Sequence, residues 1–147
     1  MQYICTPILA ALILAGASSA DTINVPADYD TIQEAINAGQ NGDLVLVQPG
    51  IYTGTGEQVV HLMGKSITLS AAGSPEATVI DGEAQRRCIT CDDGEGSGTR
   101  IKGFTITNGY AQSGAGIYLG WGSSPTIENC IVAYNVASSG GGGLEAG

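Results

Sequence analysis

TRIKGFTITNG (residues 99–109) and PTIENCIVAYN (125–135) are the two stretches whose reading decides the fold. Laid over each other at a step of 26, TRIKGF and PTIENC bring Ile101 over Ile127 and Phe104 over Cys130. TVIDG (78–82) superposes on TITNG (105–109) at a step of 27, which brings Asp81 onto Asn108, and the same step carries Asn108 onto Asn135. Ile89, Ile117 and Leu144 follow one another at steps of 28 and 27. A period drifting between these values is what a coil with variable corner loops gives. Each period holds three short β-branched or aliphatic runs separated by Gly, Ser, Asn and Asp, which fits one coil of a parallel β-helix better than a propeller blade of ~40 or more residues. Successive coils of such a solenoid stack about 4.8 Å apart, so equivalent side chains line up through the interior. The ladder Ile89, Ile117, Leu144 is then expected in the core. The column Asp81, Asn108, Asn135 is expected at a corner, because Asn and Asp tolerate left-handed backbone and satisfy turn amides themselves.

Composition supports a packed chain and removes several classes. Of 147 residues 23 are glycine, and 14 of those lie from Gly94 onward, where the coils repeat. There is no strict G-X-Y period, so collagen fails. With 43% hydrophobic and only 13% charged residues the chain is too apolar for an acidic disordered segment. A formal charge of -9 argues against a nucleic-acid partner, which needs clustered Lys and Arg.

The amino-terminal part differs in kind. Residues 1–20, MQYICTPILAALILAGASSA, have an apolar stretch from Ile8 to Ala15, small residues at Ser18 and Ala20, and Asp21 beyond. This is the layout of a secretory signal cleaved after Ala20, although no Lys or Arg precedes the apolar stretch. That stretch is too short to span a bilayer, and no transmembrane segment is expected in the mature chain. Export implies a secreted or cell-surface location. Thr31-Ile32-Gln33-Glu34 is a capping box, with Ile32, Ala35 and Ile36 at helical spacing, and Gly39 and Asn41-Gly42-Asp43 stop the helix. LVLVQPGIY follows as a buried strand. The resulting division is a signal over 1–20, a cap over 21–65 with a short helix covering the first coil, and β-helix coils over 66–147. The coil begun at Leu144 lacks the strands that would complete it, so the expectation is a piece of a longer solenoid.

VPADYDTIQEAINAGQNGDLVLVQPGIYTG, followed by GKSITLSAAGSPEATVIDG, resembles the opening of right-handed parallel β-helix proteins of the pectin lyase-like superfamily, including the start of pectinesterases. GFTITNG, GAGIYL, SSPTIENCIVAYN and GGGL are similar to the repeats of bacterial secreted and surface proteins, among them polymorphic outer-membrane proteins with GGA[ILV] and FxxN repeats. The resemblance implies an all-β, right-handed parallel β-helix. It also implies a substrate class, polyuronic acids, and a place for chemistry, one outer face carrying paired aspartates, an arginine base or a calcium cluster.

No matching segment carries the Gln and Asp motifs of pectinesterase catalysis, and no strand holds a close carboxylate pair of the kind glycosidases need. The best candidate lies between Arg86 and Lys102. Arg86, Arg87, Arg100 and Lys102 bracket the loop Asp92-Asp93-Gly94-Glu95-Gly96-Ser97-Gly98. Asp92, Asp93 and Glu95 on a flexible loop offer hard oxygens to Ca²⁺; the plainer reading is a solvated loop whose acids are offset by nearby bases. Arg100 and Lys102, two apart on one strand face, could meet an anionic sugar. Tyr110, Tyr118 and Trp121 form a second candidate, since aromatic faces stack on sugar rings; but Trp121 shares strand parity with Ile117 and Leu119, which points to core or corner packing. His61 shows no partner in sequence and is expected to be a satisfied strand histidine. Once Cys5 leaves with the signal, Cys88, Cys91 and Cys130 form no closed disulfide set, and RCITC reads as a strand with inert thiols.

The expected function is that of an exported β-helix module that binds carbohydrate or a cell surface, or serves as its scaffold. The alternatives are the amino-terminal part of a polysaccharide lyase or hydrolase with its active site further along, and an adhesin-like stalk.

Overall fold

A computed structural model describes residues 19–147, so Cys5 and all but the last two positions of the segment expected to be a secretory signal lie outside the described residues. The chain enters as β1 (Thr22–Val25), turns through α1 (Ile32–Ala38), and then winds. A second rung follows as β2 (Leu44–Val47), β3 (Gly50–Tyr52) and β4 (Gln58–His61), and a third as β5 (Thr68–Ala71), β6 (Thr78–Asp81) and β7 (Arg87–Cys91). The fourth rung comprises β8 (Arg100–Lys102), β9 (Thr105–Thr107), β10 (Tyr110–Ala111) and β11 (Ile117–Leu119). The fifth repeats it as β12 (Thr126–Glu128), β13 (Ile131–Ala133), β14 (Val136–Ala137) and β15 (Leu144–Ala146). Equivalent strands pair in parallel. The first sheet is β1-β2-β5-β8-β12, the second β3-β6-β9-β13, the third β4-β7-β11-β15, and β10-β14 forms a small fourth. The protein is a parallel β-solenoid.

Three ladders of apolar side chains run along the inner faces of the sheets, fully buried in the middle rungs and more open at the ends. Register stacks Ile23, Val45, Leu69, Ile101 and Ile127 in the first sheet. Tyr52, Ile80, Ile106 and Val132 stack in the second, and Val60, Ile89, Ile117 and Leu144 in the third. Each fully buried Ile or Leu in these columns contributes about 1.5–3 kcal/mol of hydrophobic stabilisation. Register stacks Ile101 with Ile127 and Ile89 with Ile117 and Leu144 as the sequence repeat implies, but only Ile89 and Ile117 of those last three are core: Leu144, on the last rung, is 46% exposed.

The corner column is displaced by one residue. Asp81 pairs with Thr107, not Asn108, because register at a step of 26 stacks the fully buried Ile80 on Ile106. A step of 27 in that sheet would turn Ile80 away from the Ile106 face, and a one-residue slip exchanges buried and exposed faces. Left-handed backbone accordingly falls at Asn108 (φ 54°) and Tyr134 (φ 58°), while Asn135 turns its amide onto neighbouring backbone. The preceding corner, between the first and second sheets, behaves alike, with Gly103 at φ 81° and its equivalent Asn129 at φ 48°. LVLVQPGIY is two strands rather than one: Pro49 stands at the corner between β2 and β3, where its missing N–H costs no ladder bond.

The capping box forms, with Thr31 Oγ1 accepting from Glu34 N and the Glu34 carboxylate accepting from Thr31 N. Ile32, Ala35 and Ile36 are buried, and the helix packs against β1, β2 and β4. Its last turn holds no basic residue of its own. Lys65, from the turn after β4, supplies one: Nζ donates to the carbonyls of Ile36, Asn37 and Gly39 at 2.7, 2.9 and 2.9 Å. No helix among the described residues is long and apolar enough to cross a membrane.

Candidate functional site

Three successive turns lead from the third sheet back to the first: 62–67, 92–99 and 120–125. They stack as the strands before them do. His61 pairs with Thr90, Cys91 pairs with Leu119, and the amides of Leu62 and Gly120 donate to Thr90 and Cys91 carbonyls. Backbone contact is close here: a Cβ added at Gly120 would lie 2.6 Å from Asp92 Cβ, so only glycine fits above Asp92.

Glu95 holds the three turns together from inside. It is fully buried, and its carboxylate accepts from Gly64 N at 2.9 Å, from Asp93 N at 3.1 Å and from Ser123 Oγ at 2.9 Å. Its own carbonyl accepts from Ser124 N. One carboxylate thus serves donors from three consecutive rungs, the arrangement that makes a buried charge tolerable. Ca²⁺ bound by Asp92, Asp93 and Glu95 together does not fit, because both Glu95 oxygens already serve protein donors.

Asp92 and Asp93 turn outward and meet His61. His61 Nε2 lies 2.9 Å from Asp92 Oδ1 and 3.1 Å from Asp93 Oδ2, so the histidine without a visible partner in sequence has two. Its backbone is gripped by the Gln33 side chain of α1, whose Oε1 accepts from His61 N at 2.7 Å and whose Nε2 donates to His61 O at 3.2 Å. Next to His61 in register stands Thr90, 3% exposed, with no hydrogen-bond partner for its Oγ1. A groove of about 480 Å³, lined by Thr31, Gln33, Gly54, Gln58 and His61 among others, opens beside this cluster.

Trp121 is 90% exposed and is not corner packing. Strand β11 ends at Leu119, so the parity that pointed the ring inward stops before it; the residue sits on the turn between Gly120 and Gly122 (φ 79°). The three aromatics do not form one surface. Tyr110 is exposed on β10, and Tyr118 lies half-buried under the Arg87 guanidinium, 4.6 Å from the ring centroid. Arg100 and Lys102 do share the outer face of β8, with Ile101 buried between them. Arg100 pairs with Glu128 at 3.3 Å, whereas Lys102 has no ion pair among the described residues. Arg86 and Arg87 are structural: Arg86 pairs with Glu83 and donates to the Gly56 carbonyl, and Arg87 donates to Gly114 and Ser113 carbonyls.

Cys88, Cys91 and Cys130 are free thiols. Burial pushes the thiols of Cys88 and Cys91 up to about 12, with neighbouring carboxylates adding to the shift, so neither offers a thiolate for chemistry.

No protein-family model matches the chain, and no curated protein or solved structure matches it either. Class is therefore defined by the fold: a parallel β-solenoid, with His61, Asp92, Asp93 and the exposed Trp121 on the stacked turns between its third and first sheets.

Proposed function

We propose that this chain is an exported β-solenoid module that binds carbohydrate, on a polysaccharide or at a cell surface, and carries no catalytic set of its own. The observation that carries the reading is Trp121, an almost fully exposed ring on a turn whose backbone is fixed by bonds from Gly120 N to Cys91 O at 2.7 Å and from Ser123 N to Gly120 O at 3.0 Å. An indole held on a rigid turn presents a flat apolar face at little entropic cost, which is what stacking on a sugar ring needs. The outer face of the first sheet begins a few residues further on, and its Lys102 suits the carboxylate of an acidic sugar. Export rests on the signal-like residues 1–20, and the pectin lyase-like relationship on the quoted resemblance.

Trp121 is the one tryptophan of the chain, so its fluorescence reports on its surroundings directly. Titration with oligogalacturonate and with neutral oligosaccharides is expected to change that emission saturably, and Lys102→Ala is expected to weaken the acidic ligand alone. Absence of any saturable change across both sets would overturn the carbohydrate reading. Release of new reducing ends or unsaturated uronates by the chain would sink the non-catalytic part and favour a lyase or hydrolase.

A further inference from the structure

We propose that His61, Asp92 and Asp93 form a site for one divalent first-row transition ion of the Zn²⁺ class, independent of the carbohydrate reading. Their three ligand atoms lie within 4.8 Å of one another. Two ligands held ~2.1 Å from an ion are about 3.0 Å apart at the right angle of five- or six-coordination and about 3.4 Å apart at the tetrahedral angle. The separations from Nε2 to the two carboxylates, 2.9 and 3.1 Å, suit adjacent positions on one ion.

Proton counting favours an ion over a simple ion pair. An imidazole Nε2 carries at most one hydrogen, and here two carboxylates converge on it. Neither Asp92 nor Asp93 has a Lys or Arg partner among the described residues, so two neighbouring negative charges face one nitrogen in a chain of net charge -9. A dication in place of that hydrogen satisfies all three groups. Thr90 supplies an independent observation: its buried, unpartnered hydroxyl stands beside His61 in register, where an ion-bound water would give it a partner.

The frame is preorganised. Gln33 fixes the His61 backbone, Glu95 fixes the Asp93 amide, and Gly120 packs over Asp92. None of these bonds uses a ligand atom. The donor set also selects the ion. Ca²⁺ takes 6–8 oxygen ligands and gains little from an imidazole, whereas Zn²⁺ and its neighbours favour nitrogen with carboxylate.

The test uses the tag-free chain with Zn²⁺, Co²⁺ and Ca²⁺ added separately, read by calorimetry and, for Co²⁺, by its visible absorption. One Zn²⁺ or Co²⁺ per chain is expected, with Co²⁺ bands of nitrogen-and-oxygen ligation and no comparable Ca²⁺ binding. Asp93→Asn and His61→Gln should each weaken Zn²⁺ by more than the roughly 10–100-fold that loss of a mere supporting partner costs. Glu128→Gln, on the first sheet, should leave it unchanged. Circular dichroism of each variant verifies the fold, and Asp92→Asn stands in should His61→Gln not fold. No binding, Ca²⁺ binding as tight as Zn²⁺, or Zn²⁺ binding indifferent to all three ligand substitutions would overturn the site. Because no sugar is present, failure here leaves the carbohydrate reading standing, and the reverse holds as well.

Discussion

Two corners of the solenoid solve the same problem in different ways. Where the second sheet gives way to β10, the turns are held by Asn135, whose Nδ2 donates to the carbonyls of Ile106 at 2.9 Å and Ala133 at 3.1 Å while Oδ1 accepts from Gly109 N at 2.8 Å. Where the third sheet returns to the first, Glu95 does the work with a charge and takes N–H and O–H donors from three rungs, whereas Asn135 reaches the third rung only through the Cys88 thiol at 3.7 Å. Outside the first of these corners the polar groups serve the turn itself: Asn108 Nδ2 donates to Asp81 at 3.2 Å, and Asp81 accepts from Glu83 N. Outside the second, Glu95 has already satisfied the amides, so the side chains of His61, Asp92 and Asp93 are left to meet one another and Trp121 stays exposed. A solenoid corner becomes available for recognition when its backbone is held from within.

The largest effect that breaks this comparison is Glu95→Ala. It strips Gly64 N, Asp93 N and Ser123 Oγ of their shared part-buried acceptor and loosens three turns together. A hydrogen bond to a charged group contributes ~1.5–3 kcal/mol, so a loss of at least about 3 kcal/mol is expected, read from the midpoint of urea unfolding. A change below about 1 kcal/mol would mean that water replaces the carboxylate freely and that the corner is not held from inside.

Asn135→Ala tests the other corner and should cost less. The bonds lost are neutral ones to backbone, contributing about 0.5–1.5 kcal/mol each, so a loss of ~2 kcal/mol is expected in the same measurement. If it exceeds that of Glu95→Ala, the contrast between a charged clamp and a neutral one is wrong.

Which of these features sequence could reveal follows from how far apart the partners lie and whether they share a period. Ile101 and Ile127, or Ile89 and Ile117, are equivalent positions of consecutive rungs, and an apolar residue repeated at a fixed step is visible without coordinates. The capping box at Thr31 and Glu34 is local and equally plain. His61 and Asp92 are not equivalent positions. They are 31 residues apart, and the loop at 92–99 is longer than the turn at 62–67 on which it stacks. Repetition therefore gives no hint of their meeting. Glu95 carries no burial signature either, being an acid among glycines in a polar loop, the ordinary pattern of a solvated turn. Lys65 is hidden for the same reason, because the helix end it caps lies 26 residues away at Gly39. The one-residue error at Asp81 shows the limit from another side: matching Gly to Gly aligned the turns, but burial of Ile80 on Ile106 sets the strand register.

The smallest expected effect in folding, and the sharpest for function, belongs to Trp121→Ala. Ordinarily truncating a tryptophan costs ~3–5 kcal/mol because the ring is buried. Here 90% of it is exposed, and its neighbours are the glycines on either side and the backbone near Gly147. Thermal unfolding of the variant should thus match the parent within about 0.5 kcal/mol, as for surface substitutions away from caps and networks. Binding to an insoluble polysaccharide, measured by depletion because the fluorophore is gone, should fall at least tenfold, the equivalent of ~1.4 kcal/mol. The two readings separate the roles of the corner. A stability loss approaching that of Glu95→Ala would make the ring part of the clamp, and unchanged binding with unchanged stability would leave its exposure without the recognition role assigned to it. Loss of binding in a chain that folds as well as before is the outcome expected of a side chain placed on a turn that Glu95 already holds.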